Sequence, residues 1–151
     1  MEYDYTFFAD GATEPTNPGG TSGIGCAVYE GKKLVKEYSY YISAKPQNTN
    51  NVAEYIAFIR ALKHIDENKI TSKSILIQGD SMLCVKQLNG DWGIKAGQYM
   101  KYAYMARDLL IEARKNNVID VKWIPREQNT VADDLSKKEL IRNGITITKR
   151  K

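Results

Sequence analysis

Residues 4–10, DYTFFAD, are an apolar and aromatic run that closes on Asp10 and passes straight into the turn-prone stretch GATEPTNPGG. Such a run, bounded by Gly, Pro and Asn, predicts a strand. Two more strands are predicted over 22–30 (SGIGCAVYE) and 33–42 (KLVKEYSYYI), joined by the turn Glu30-Gly31-Lys32. Three consecutive strands with short links predict an antiparallel meander. The period then changes. Over 51–68, Val52, Ile56, Ile59 and Leu62 recur at helical spacing. SILIQGD (74–80) is a short buried strand ending in Gly79-Asp80. A helix over 81–89 stops at the breaker Asn89-Gly90, and a longer one covers 98–116. VIDVKWI (118–124) is the fifth strand, and a last helix begins near Asn129 and runs to about Leu140. The order is βββαβααβα. Strands separated by helices favour parallel pairing, so the expectation is an α/β domain: a mixed five-stranded sheet with helices on both faces. It spans residues 1–145 and leaves a basic tail over 146–151.

Composition narrows the classes. A chain of 151 residues fits one domain, and 42% apolar residues suffice for a core and exclude a disordered chain. No run approaches the ~18 apolar residues of a membrane span. The acidic start MEYDYTFF lacks a basic n-region, so no secretory signal is expected. Cys26 and Cys84 sit inside apolar segments without metal spacing, which reads as buried free thiols in a reducing, cytoplasmic setting. The net charge of +4 is compatible with a phosphate-bearing partner.

Candidate chemistry lies in the acids. Asp10 and Asp80 each close a predicted strand, where open α/β sheets bind ligands. If the two strands are parallel neighbours, the carboxylates meet, and like charges that close repel unless a cation intervenes. Oxygen ligands suit Mg²⁺ or Mn²⁺. Glu54 and Asp133 fall early in the first and last helices and are placed to complete the group. Each acid also has a plain structural reading, and for Asp10 it is the turn that follows the strand. Asn51-Val-Ala-Glu54 and Thr130-Val-Ala-Asp133 read as capping boxes, and Asp80 before Ser81 reads as an N-cap.

Four segments, DGATEPTNPGG, TNNVAEY, GDSMLCVKQLNGDW and PREQNTVADDLS, resemble in order and spacing the motifs of type 1 ribonuclease H, over roughly residues 3 to 141. The likeness is greatest to compact bacterial and archaeal members and to domains fused to reverse transcriptases. The resemblance implies a mixed five-stranded sheet and an endonuclease that cuts the RNA strand of an RNA–DNA hybrid. It implies two Mg²⁺ ions about 4 Å apart, with Mn²⁺ able to substitute, and products with 5′-phosphate and 3′-hydroxyl ends. Asp10 would bridge both ions, Asp133 hold the one on the nucleophile side, and Glu54 and Asp80 the other. Asn17 and Asn51 would contact the hybrid near the scissile site, with the Thr49-Asn50-Asn51 run reading the 2′-hydroxyl and Thr49 gripping a DNA phosphate. Capping for Asn51 and a turn for Asn17 are the alternatives.

Two departures from the family pattern stand out. The basic protrusion of many bacterial members is reduced here to Asp91-Trp92-Gly93-Ile94-Lys95-Ala96-Gly97, with one lysine. Trp92 either stacks on a sugar or packs, and hybrid grip should be modest. The loop before the last helix, Pro125-Arg126-Glu127-Gln128-Asn129, lacks the usual histidine. Arg126 either reaches a phosphate or makes a surface ion pair, and Glu127 either assists proton transfer or metal departure in place of the histidine or is a solvated loop acid. The single histidine, His64, reads as structural or exposed. For the fourth acid, helical phase judged from Val131, Ala132 and Leu135 sets Asp134 slightly nearer the core, whereas the family pattern points to Asp133. A monomer is expected. The alternatives to a ribonuclease H are a non-catalytic hybrid-binding module of the same fold and another nuclease of the superfamily.

Overall fold

The computed structural model describes residues 2–147; Thr148 to Lys151 of the expected basic tail lie outside the described residues. Five strands form one mixed sheet: β1 (Tyr5–Glu14), β2 (Thr21–Glu30), β3 (Lys33–Ile42), β4 (Ser74–Gly79) and β5 (Val118–Trp123). Four helices accompany it: α1 (Asn50–Glu67), α2 (Met82–Leu88), α3 (Met100–Arg114) and α4 (Thr130–Arg142), the last preceded by a 3₁₀ turn at Arg126–Gln128. The strand order is β3-β2-β1-β4-β5. The meander β1-β2-β3 is antiparallel, and β1, β4 and β5 run parallel. Both pairings follow from the connections, since a short turn returns the chain antiparallel and a helical crossover returns it parallel.

The expected end of the first strand is corrected. β1 continues four residues past Asp10, because Gly11 to Glu14 still pair with Ile24 to Thr21 of β2. Its parallel pairing with β4, however, stops at Ala9–Gly79. Asp10 is therefore the first residue of β1 whose β4-facing edge is open. That is where helices from both faces reach the same strand.

Glycines set how closely they come. A Cβ on Gly11 would lie 2.3 Å from the Ala53 carbonyl oxygen of α1. One on Gly25, directly opposite Asp10, would lie 2.2 Å from the Ala132 carbonyl oxygen of α4. Neighbouring residues of a strand face opposite sides, so α1 covers one face and α4 the other. The main core, including Phe7, Ile24, Phe58, Leu62, Ile77 and Leu110, lies on the α1 side. His64 is buried there, its Nδ1 2.6 Å from the Tyr38 hydroxyl.

The helix starts also differ from expectation. Thr49 caps α1, its hydroxyl accepting from the Val52 N–H at 3.1 Å, so the box beginning at Asn51 does not form. Ser81, not Asp80, caps α2. Asn129 is the N-cap of α4 and makes no side-chain cap bond, so the Thr130 box is absent as well. Glu54 and Asp80 are thereby released from capping.

Candidate active site

Asp10, Glu54 and Asp80 converge at the open edge of β1. Each presents a carboxylate oxygen, and these oxygens lie within 4.8 Å of one another. Asp10 is fully buried, and the Asp80 side chain is 6% exposed. Glu54 reaches across from α1, and its Oε1 accepts the Gly11 N–H at 2.6 Å. Burial first, and then the charges of Asp10 and Asp80, push the Glu54 carboxyl well above the ordinary carboxylate range. A site of hard oxygen donors that penalises its own negative charge fits a divalent cation.

Other residues aim the acids. Arg126 Nε lies 3.7 Å from Asp80 Oδ2, so the expected ion pair of this half-exposed arginine forms, and its partner is one of the three acids. The Trp123 indole N–H donates to the Asp80 carbonyl at 3.2 Å. Ser136 Oγ lies 2.7 Å from the Asp133 carbonyl oxygen and 3.4 Å from Asp10 Oδ2.

Asp133 is not in the group of three. It sits in the first turn of α4, 15% exposed, and its Oδ2 accepts from Lys137 Nζ at 2.8 Å. Asp134 is exposed, which corrects the helical-phase reading. The buried arc of α4 is Ala132, Leu135, Ser136 and Leu140, while Val131 is half-buried. Weighting Ser136 and Leu140 in place of Val131 turns the arc toward Asp133.

Residues 9–139 match the reverse transcriptase-like family, which embraces all of these acids. The chain belongs to this family, and its fold is that of ribonuclease H. Among curated proteins it is 33% identical over 132 residues to the bifunctional protein Rv2228c of Mycobacterium tuberculosis. That match takes in 85% of this chain and 33% of the relative, so the chain spans about a third of its length. The solved N-terminal RNase H domain of Rv2228c, a fusion with maltose binding protein, superposes with a TM-score of 0.80 at 30% identity. It covers 93% of this chain and 95% of that one. LC11-RNase H1, solved in complex with an RNA/DNA hybrid, gives a TM-score of 0.80 at 30% identity, covering 92% and 98%. No helix among the described residues is long and apolar enough to cross a membrane.

The expected reader residues of this family member divide into two groups. Thr49, Asn17 and Asn50 are structurally engaged. Asn50 Oδ1 accepts the Thr13 N–H at 2.9 Å, and the Asn50 N–H donates to Asn17 Oδ1 at 3.1 Å, which ties the end of β1 and its following loop to the start of α1. Asn51 is exposed on the first turn of α1. Trp92 is 47% exposed, so the indole is not a packed one. Its loop is nonetheless anchored: Gln87, buried and accepting from Tyr55, donates to the Gly93 carbonyl at 3.0 Å. Sequence reasoning missed Asn48, Trp123 and Ser136. Buried Asn48 donates to the Gly20 and Ser43 carbonyls and so joins two loops. Ser136 had a signal, its position three residues after Asp133. Asn48 had none beyond adjacency to the Thr49 run.

Proposed function

We propose that this chain is an endonuclease that hydrolyses the RNA strand of RNA–DNA hybrids with two Mg²⁺ ions, Mn²⁺ substituting, and leaves 5′-phosphate and 3′-hydroxyl ends. The observation that carries the proposal is the convergence of Asp10, Glu54 and Asp80 at one open strand edge in a chain of this family. Divalent ions held by these acids would lower the pKa of an attacking water and would stabilise the departing 3′ oxygen. Asp10, from β1, Glu54, from α1 over one face of the sheet, and Asp80, at the end of the neighbouring β4, are the ligands, with Asp133 the fourth once it leaves Lys137. Arg126 offsets the charge of Asp80 and contacts a substrate phosphate. Exposed Asn51 reads the 2′-hydroxyl, since an amide both donates and accepts. Asn17, Thr49 and Asn50 shape the same groove, and Trp92 stacks on a sugar. That LC11-RNase H1 was solved with a hybrid supports the substrate class. The chain acts as a monomer in the cytoplasm.

The test incubates the chain with labelled RNA–DNA hybrid, double-stranded RNA and double-stranded DNA, each with Mg²⁺, Mn²⁺ or EDTA. Cleavage is expected of the hybrid's RNA strand, with metal only. Asp10→Asn should abolish it, a loss of at least 10³-fold (~4 kcal/mol of transition-state stabilisation), while the protein stays folded. Cleavage by Asp10→Asn near the wild-type rate would sink the proposal.

A further inference from the structure

Asn129 is fully buried, yet half of its amide is unsatisfied. Its Nδ2 donates to the Ala9 carbonyl at 2.9 Å, 120 residues away along the chain. That carbonyl can only accept, so the amide cannot be flipped, and Oδ1 is the end left over. Oδ1 has no hydrogen-bond partner among the described residues. A buried acceptor without a partner costs stability, and an apolar residue of similar size would avoid that cost. The helix start does not explain the residue either, since Asn129 makes no side-chain cap bond.

Its position does. Ala9 is the residue before Asp10, where β1 loses its partner β4. The Asn129 carbonyl accepts the Asp133 N–H at 3.0 Å, and the Asn129 N–H donates to the Arg126 carbonyl at 2.9 Å. Arg126 in turn faces Asp80. One buried residue thus joins the strand that carries Asp10, the helix turn that carries Asp133 and the turn that carries the arginine beside Asp80. We propose that Asn129 is a positioning residue that sets the separation of Asp10 and Asp133 through its buried amide bond to the Ala9 carbonyl. This rests on the proposed hybrid-cleaving function and adds to it a residue that touches neither substrate nor metal. A residue that locks site acids from behind changes turnover and metal affinity together, without changing how nucleic acid docks.

The test uses Asn129→Asp, which keeps the shape but sets an oxygen against the Ala9 carbonyl, and Asn129→Ser, whose hydroxyl is too short to reach it. Three quantities are measured on the full chain: thermal melting, kcat and KM on RNA–DNA hybrid well below the melting temperature, and Mn²⁺ binding by calorimetry without nucleic acid. In whichever variant folds, kcat should fall at least tenfold, KM should change less than twofold, and Mn²⁺ binding should weaken at least threefold. A folded variant with wild-type kcat and Mn²⁺ affinity overturns the assignment. So does a loss confined to KM, or one confined to the melting temperature. If the wild type cleaves no hybrid, the proposed function fails by itself, and the Mn²⁺ affinities still decide the role of Asn129.

Discussion

Glu54 is held in a site that resists its charge. In metal-free protein its carboxyl titrates well above the ordinary value, because burial and two neighbouring acids disfavour the anion. Below the unfolded-state pKa the carboxyl is protonated in both states, and this stability is fully present. As pH rises, the unfolded chain releases the proton first, and the stability is lost up to the raised folded pKa. Glu54→Gln imitates the protonated acid and can still accept from Gly11. In EDTA, wild-type melting temperature should therefore fall relative to Glu54→Gln as pH rises from about 4. Saturating Mg²⁺ should narrow the gap. Parallel curves at every pH would refute this account of the acid. Toward the start of the same helix, cap and reader separate. Thr49→Ala should cost about 1 kcal/mol of stability, the loss of an N-cap. Asn51→Ala should leave stability within ~0.5 kcal/mol, as expected of an exposed position. It should lower hybrid cleavage by up to about tenfold, the value of one hydrogen bond to substrate. An Asn51→Ala variant that loses stability but not activity would return that residue to a purely structural role.

α4 carries the decision between two adjacent acids. Helix phase leaves Asp133 partly buried, its carboxylate on Lys137 and its carbonyl on Ser136, and leaves Asp134 in solvent at the first turn. There Asp134 complements the helix dipole, worth about 0.3–1 kcal/mol. Asp133→Asn should lower kcat at least tenfold, whereas Asp134→Asn should keep activity within about twofold and cost only that dipole contribution. Steady-state kinetics of the two variants side by side decide it, and the reverse ranking would move the fourth ligand by one residue. The packing of α4 against Gly23 and Gly25 is what holds this phase, since a Cβ at either glycine would collide with α4 backbone atoms.

Across the whole molecule, charge sets how the chain meets nucleic acid. The net charge is +4, and the loop after α2 carries one lysine, Lys95. With few phosphate contacts, hybrid affinity should be modest and salt-dependent, falling roughly tenfold or more between ~50 and ~200 mM salt. Fusing a basic hybrid-binding module should raise cleavage at low substrate concentration. Fluorescence anisotropy with a labelled hybrid, in Ca²⁺ to prevent turnover, measures the slope. Tight, salt-insensitive binding would contradict this reading.

Period and order were legible in the chain by itself. The strands and helices are visible as apolar runs, one clear stretch of helical spacing and the breakers between them, and the short links and crossovers favour antiparallel and parallel neighbours. The four candidate acids were also legible, because their segments resemble a family in order and spacing. What needed the tertiary structure was whatever depends on a partner distant along the chain. Strand β1 outruns Asp10 because β2 continues beside it while β4 stops, and no local pattern carries that difference. Glu54 looked like half of a capping box until its carboxylate was seen to serve the Gly11 N–H across the strand edge. Buried Asn48 and Asn129 look like loop residues, since Asn is a turn former by local chemistry. They acquire roles only when the carbonyls of Gly20, Ser43 and Ala9, which folding removes from water, need a donor.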